Sequence, residues 1–113
     1  MTIRELAEKL GAEILHEEFA DTPVMGAYTS DLLSDVMANA REGGVLITIQ
    51  AHKNTIAVAT LVNVTAVIVC NTRPVPEDML DAAREEGIAV LRTKDNQFTV
   101  SGKVYNLLSA KTE

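Results

Sequence analysis

Asn54-Thr55-Ile56-Ala57-Val58-Ala59-Thr60-Leu61-Val62 lies between two apolar runs, Val45-Leu46-Ile47-Thr48-Ile49 and Ala66-Val67-Ile68-Val69-Cys70, and its reading decides the fold. The segment is β-branched and apolar on most sides, so periodicity alone leaves helix and strand both open. As a helix it is a crossover, and the flanking runs become parallel strands. As a strand it hairpins back on residues 45–49 and leaves residues 66–70 antiparallel.

The surroundings favour the helix. Residues 24–28 read as a strand, followed by Leu32, Leu33, Val36, Met37 and Ala40 at helical spacing, and Gly43-Gly44 closes that helix. Downstream, Pro74-Val75-Pro76 leads into a helix over about 77–86. Glu77 and Asp78 occupy its first turn, where acids complement the helix dipole, and Gly87 stands just past its end. Ile88-Ala89-Val90-Leu91 is the last apolar run. Strand exits near Thr29, Ile49, Cys70 and Arg92 fall 20, 21 and 22 residues apart. A strand, a loop and a helix of roughly ten residues fill that interval, as parallel crossovers require. The inner runs do not alternate, which suits a sheet covered on both faces. Residues 54–62 therefore read as a buried helix, and the fold as a three-layer α/β/α sandwich with a mostly parallel sheet of four to five strands.

The two ends complete this frame. Thr2-Ile3-Arg4-Glu5 is a capping box, and Ile3, Leu6, Ala7 and Leu10 form one helical face that stops at Gly11. Ile14-Leu15 lies in a short extended stretch, and residues 17–23 form a loop. Near the other end, Asp95-Asn96 caps a final helix carrying Phe98, Tyr105 and Leu108, which Thr99, Val100 and Gly102 weaken. Leu107-Leu108 is expected to cover the core.

Length and composition agree with one small domain over residues 1–113. Hydrophobic residues make up 47% and charged ones 23%, a folding composition whose core must be aliphatic because aromatics are 4% and Trp is absent. A net charge of −6 opposes nucleic-acid and anionic-membrane binding. The single Cys excludes an internal disulfide and an all-Cys metal site. The apolar stretch from 55 to 70 is interrupted by Asn63 and too short to span a bilayer, and the first ten residues are too charged for a secretory signal. A cytoplasmic location is expected.

In open parallel sheets, ligands gather outside the carboxyl ends of the strands. Four polar segments should meet there: Thr29-Ser30-Asp31, Thr48 through Asn54, Cys70 through Arg73, and Thr93-Lys94-Asp95. Gln50-Ala51-His52-Lys53-Asn54 is the richest, with Asn54 placed to N-cap the next helix and Lys53 as a point charge for an anion or nucleotide. Asn71 and Arg73 add a second polar group and cation, and Lys94 a third cation. The candidate ligand-binding set is Thr29, Ser30, Thr48, Gln50, His52, Lys53, Asn54, Asn71, Arg73 and Lys94. For any single residue of the 50–54 loop, an ordinary solvated connection is the favoured reading. Ser30-Asp31 reads as a cap for the second helix rather than a catalytic pair, and Cys70 as a small core residue whose only nearby base would be His52. Neither G-x-x-x-x-G-K-[ST] nor G-x-G-x-x-G occurs, and His16 and His52 share no ligand spacing, so no phosphate loop, dinucleotide turn, metal or cofactor is expected.

Several pieces together resemble the DRTGG domain family. They are Tyr28-Thr29-Ser30-Asp31-Leu32-Leu33-Ser34-Asp35-Val36-Met37, Gly43-Gly44-Val45-Leu46-Ile47-Thr48, Asn54 to Thr60, Ala66-Val67-Ile68-Val69, and Ile88-Ala89-Val90-Leu91-Arg92-Thr93. The family is similar to the N-terminal domain of the bacterial kinase/phosphorylase that modifies a serine of the sugar-transport phosphocarrier protein. It also occurs inserted in some phosphotransacetylases and beside CBS domains. The sequence departs from the family pattern after the third strand, where Ile49 to Asn54 replaces a glycine-rich Asp-Arg turn. The resemblance implies an α/β/α regulatory or assembly domain, without kinase activity of its own, that works as a homodimer and through protein partners. As a free-standing chain it resembles small proteins of anaerobic, hydrogenase-related redox metabolism. A sensor of a small anionic or nucleotide ligand is the alternative, and an enzyme using Cys70 the third possibility.

Overall fold

The structure is a computed structural model and describes residues 1–110; the last three residues of the expected domain, 111–113, lie outside the described residues. Helix α1 spans Ile3–Leu10 and is followed by the short strand β1, Glu13–Ile14. Three strand–helix units come next: β2 Ala27–Thr29 with α2 Leu33–Asn39, β3 Val45–Thr48 with α3 Lys53–Leu61, and β4 Ala66–Val69 with α4 Glu77–Glu86. Strand β5, Ala89–Arg92, and the long helix α5, Gln97–Ala110, end the described chain. The segment that decided the fold is helical.

The sheet order is β1-β5-β4-β3-β2. Strands β2 to β5 are parallel neighbours in chain order, and β1 pairs with β5 antiparallel. Right-handed crossovers between successive neighbours place every connecting helix on the same face. Accordingly α2, α3 and α4 share one side, where Val36, Ile56, Ala59, Met79 and Ala83 pack on Leu46, Val67, Val69 and Val90. The other side is covered by α1 and α5, whose Leu6, Leu10, Val100 and Val104 pack on Val45, Ile47, Ile68 and Leu91. Residues of β3 and β4 are buried on both faces, which explains their unbroken apolar runs.

Local chemistry sets the helix ends. Thr2 accepts from Glu5 N while the Glu5 carboxylate accepts from Thr2 N at 2.8 Å, so the capping box forms as read. Gly11 and Gly87 terminate α1 and α4 in the left-handed conformation. Gly44 is required for a different reason. A Cβ there would lie 3.0 Å from Gly26 O and 3.1 Å from Arg41 O, where β2 closes on β3.

Three local expectations are corrected. The strand read over 24–28 begins only at Ala27. Ser30-Asp31 does not cap α2, whose N-cap is Leu32 with no side-chain bond. Asn54 does not cap α3; His52 does, its Nδ1 accepting from Asn54 N at 3.1 Å. Phe98 and Tyr105, carried on α5 as read, stand 88% and 72% exposed. The weak positions Thr99 and Gly102 do not interrupt α5. Asn96 does cap it, accepting from Thr99 N at 2.9 Å, and Leu107 and Leu108 do pack on the core.

Candidate functional site

At the carboxyl ends of β2 and β3, two of the four polar segments come together with α5 around one side chain, Asp31. Released from capping duty, its Oδ1 accepts from Thr48 Oγ1 at 2.8 Å, Ile49 N at 2.9 Å and Gln97 Nε2 at 2.9 Å. Gln50 Nε2 donates to the Asp31 carbonyl at 3.0 Å, and Thr48 Oγ1 accepts from Gln50 N. One carboxylate therefore ties β3, the loop after it and the first turn of α5 to the β2–α2 turn. Charge-assisted bonds of this kind are among the stronger ones a protein makes.

An opening at such a rim requires adjacent loops to part toward opposite faces. That happens between β4, whose loop runs to α4, and β5, whose loop runs to α5. The two loops are instead bonded to each other: Asn71 N donates to Asp95 O at 3.0 Å and Thr72 N to Thr93 O at 2.9 Å. Asn71 and Thr72 adopt left-handed conformations, φ 61° and 48°, to make these bonds. For a β-branched Thr that conformation is costly.

The ten candidates accordingly fall into groups. Thr48, Gln50 and His52 hold backbone and Asp31 in place, and Ser30 Oγ accepts from Leu32 N at 3.2 Å. Thr29 shares a 2.7 Å hydroxyl contact with Ser101 of α5. Asn54 and Asn71 contribute backbone N–H groups to the structure just described. Lys53, Arg73 and Lys94 are exposed, and none forms an ion pair among the described residues. The Ile49 N–H and the Thr48 hydroxyl, donors an anion would use, face a resident carboxylate.

Cys70 lies beneath this rim, fully buried. Burial, reinforced by the charges of Asp31 and Asp95, pushes its thiol from an ordinary value of 9.0 up to about 11. Near neutral pH it is a thiol, and His52, the base considered for it, is engaged in capping α3. Among the described residues no group of three His, Cys, Asp or Glu side chains can hold a metal ion, and no helix is long and apolar enough to cross a membrane.

A second region stands out beside β2, the outermost parallel strand. The Tyr28 hydroxyl donates to both Asp35 oxygens at 2.9 Å, and Asn39 Nδ2 donates to Asp35 Oδ1 at 2.9 Å, fastening β2 to α2. Hydrogen bonds from Ser30, Tyr28 and Asn39 hold the Asp35 carboxyl below its ordinary value, and the bond to Asp35 raises the Tyr28 phenol. On the opposite face a groove runs between β2 and α5, lined by Met25, Ala27, Thr29, Arg41, Tyr105 and Leu108. Arg41 is its sole charged lining residue and has no ion pair among the described residues. Neither Gln97 nor this groove was legible as functional in the sequence. A glutamine in a helix's first turn carries no motif, and the groove joins residues 76 positions apart, such as Thr29 and Tyr105.

A five-stranded α/β/α sandwich with a cross-bonded carboxyl rim and an open β2 edge is the class of molecule these observations define. The chain belongs to the DRTGG domain family, whose model matches residues 5–107. A stretch of 45 residues is 49% identical to the HPr kinase/phosphorylase of Streptococcus uberis, covering 40% of this chain and 14% of that protein. The fold is similar to a crystal structure of the CBS and DRTGG domains from the regulatory region of Clostridium perfringens pyrophosphatase, complexed with its activator diadenosine tetraphosphate. The TM-score is 0.72 at 16% identity, over 91% of this chain and 45% of that one.

Proposed function

We propose that the chain is a non-catalytic regulatory module that acts by self-association and by contact with a protein partner. The observation that carries this reading is the β2 edge, a strand edge unpaired among the described residues and lying beside an α5 that exposes Phe98 and Tyr105. Exposed aromatics next to an open strand edge are features proteins ordinarily avoid unless a partner covers them. The protonated Cys70 and the internal engagement of Asp31 and His52 support the non-catalytic part. We place the module in the cytoplasm, where a lone thiol stays reduced. Light scattering across the micromolar range should return twice the mass of one chain. A single-chain mass throughout would remove the self-association reading.

A second reading, sensing of a small anionic or nucleotide ligand at the carboxyl rim, is favoured by the activator complex of the pyrophosphatase regulatory region. On this chain it rests on Lys53, Arg73 and Lys94, which form no ion pair among the described residues while the rim's neutral donors are engaged. A thermal-shift panel of nucleotides and phosphorylated metabolites tests it. At a hundred times its dissociation constant a ligand stabilises by about 2.7 kcal/mol. A hit that survives the double substitution Lys53→Ala, Arg73→Ala would remove this site.

A further inference from the structure

We infer that the occupant of the β2 edge is the β2 edge of a second copy, joined antiparallel about a two-fold axis at Tyr28 to make a continuous ten-stranded sheet. This rests on the self-association reading and specifies its surface. Gly26 O accepts from Val45 N and Ser30 N donates to Ile47 O, so the backbone groups of Tyr28 between them face β3. Alternation then turns the N–H and C=O of Ala27 and Thr29 outward.

That set is self-complementary. In an antiparallel pair, residues that exchange both backbone bonds alternate with residues that exchange none. With Tyr28 opposite Tyr28, Ala27 of each copy faces Thr29 of the other, and all four outward groups of each strand are paired. No other antiparallel register of this three-residue strand pairs them all. The axis stands perpendicular to the sheet, so the two α5 helices lie on the same face. Because α5 packs over β2 and β3, each helix brings its exposed Tyr105 toward the other copy.

Charge agrees with this register. In a chain of net charge −6, no carboxylate among the described residues lines the groove beside β2. Its one charge among the described residues, Arg41, lies along Gly26, with the Arg41 Cδ 3.5 Å from where a Cβ would stand. Gly26 falls opposite Ser30 of the other copy, next to its Asp31. The two Arg41 side chains are then offset by four residues, about 13 Å along the strand, beyond the Debye length at physiological salt. The opposite sheet edge offers no such match. Strand β1 has two residues and carries the exposed Glu13–Arg92 ion pair.

The test is a disulfide. Opposed residues that exchange no backbone bonds have Cα atoms about 4.5 Å apart, within reach of an S–S bond. Tyr28→Cys in a Cys70→Ala background should form a covalent dimer under mild oxidation, while Leu61→Cys, exposed on the α3 side, should not. Amide exchange of the unaltered protein provides a second readout free of any folding defect. Protection of the Ala27 and Thr29 amides should rise with protein concentration. A dimer by light scattering without Tyr28→Cys cross-linking and without that protection overturns this interface and leaves self-association standing. A single-chain mass at every concentration overturns both.

Discussion

The carboxyl rim and the β2 edge present opposite uses of polar groups. At the rim, the polar side chains that looked most available are engaged with one another. Thr48, Gln50 and Gln97 all bond to Asp31, and the β4 and β5 loops are joined through Asn71 and Thr72. At the edge, by contrast, the side chains are modest and the outward backbone of Ala27 and Thr29 has no strand partner among the described residues. Residue type points to the rim, whereas topology points to the edge. A polar loop marks a binding site only where its donors remain after the fold has used its share.

The largest expected effect breaks the rim. Asp31→Ala leaves the Thr48 hydroxyl, the Ile49 N–H and the Gln97 amide without their common acceptor. Bonds to a charged group and the penalty for orphaned donors together make a loss of about 3 kcal/mol in urea unfolding the expected outcome. The β2 edge should be affected too, because Gln97 anchors the start of α5. A loss below about 0.5 kcal/mol, the size of an ordinary surface change, would show that Asp31 does not organise the rim.

A smaller effect concerns the latch that holds the edge strand to α2. The Asp35 carboxyl is depressed below its ordinary value of 3.8 by hydrogen bonds from Ser30, Tyr28 and Asn39. The folded state therefore binds this proton less readily than the unfolded one. Its contribution is present above the unfolded value and is lost as pH falls through the folded one. The Tyr28 phenol is raised above its ordinary value of 10.0, so its contribution holds below that value and is lost as pH rises through the folded one. Stability measured against pH should decline at both extremes. Tyr28→Phe should flatten the alkaline decline and Asp35→Asn the acid one; unchanged profiles would mean that the latch is not formed in solution.

How far the fold was legible follows from which signals are local. The capping box at Thr2, the glycine stop at Gly87 and the helix over Glu77–Glu86 depend on neighbours in sequence, and they form where expected. The 20- to 22-residue rhythm made 54–62 a helix because parallel strands must be connected that way. Side-chain partners were not legible. Asp31 has the chemistry of an N-cap and sits where a cap belongs, but three donors from residues 48, 49 and 97 outcompete a helix terminus for it. Likewise His52 displaces Asn54 as cap because its Nδ1 reaches the Asn54 N–H. The sequence pattern gives no direction for Phe98 and Tyr105, and the smaller Val100 and Val104 are the ones that fill the space above the sheet. That arrangement is itself informative, since aromatics are only 4% of the chain and two of them point outward.

The smallest expected effect on stability falls on those two residues. Phe98 and Tyr105 are seven positions apart, two helical turns, and so share one face of α5. Being largely exposed, they contribute little to the fold of a single chain, and the double substitution Phe98→Ser, Tyr105→Ser should change unfolding free energy by no more than about 0.5 kcal/mol. Burial across an interface would change that account, because an aromatic covered by a partner loses its contact area when truncated. The same variant should then dissociate at least about tenfold more readily in dilution measured by light scattering, a difference of about 1.4 kcal/mol. Loss of stability without loss of association would place the two rings in the fold. Loss of association without loss of stability places them in the interface, and makes the β2 edge rather than the rim the surface through which this domain works.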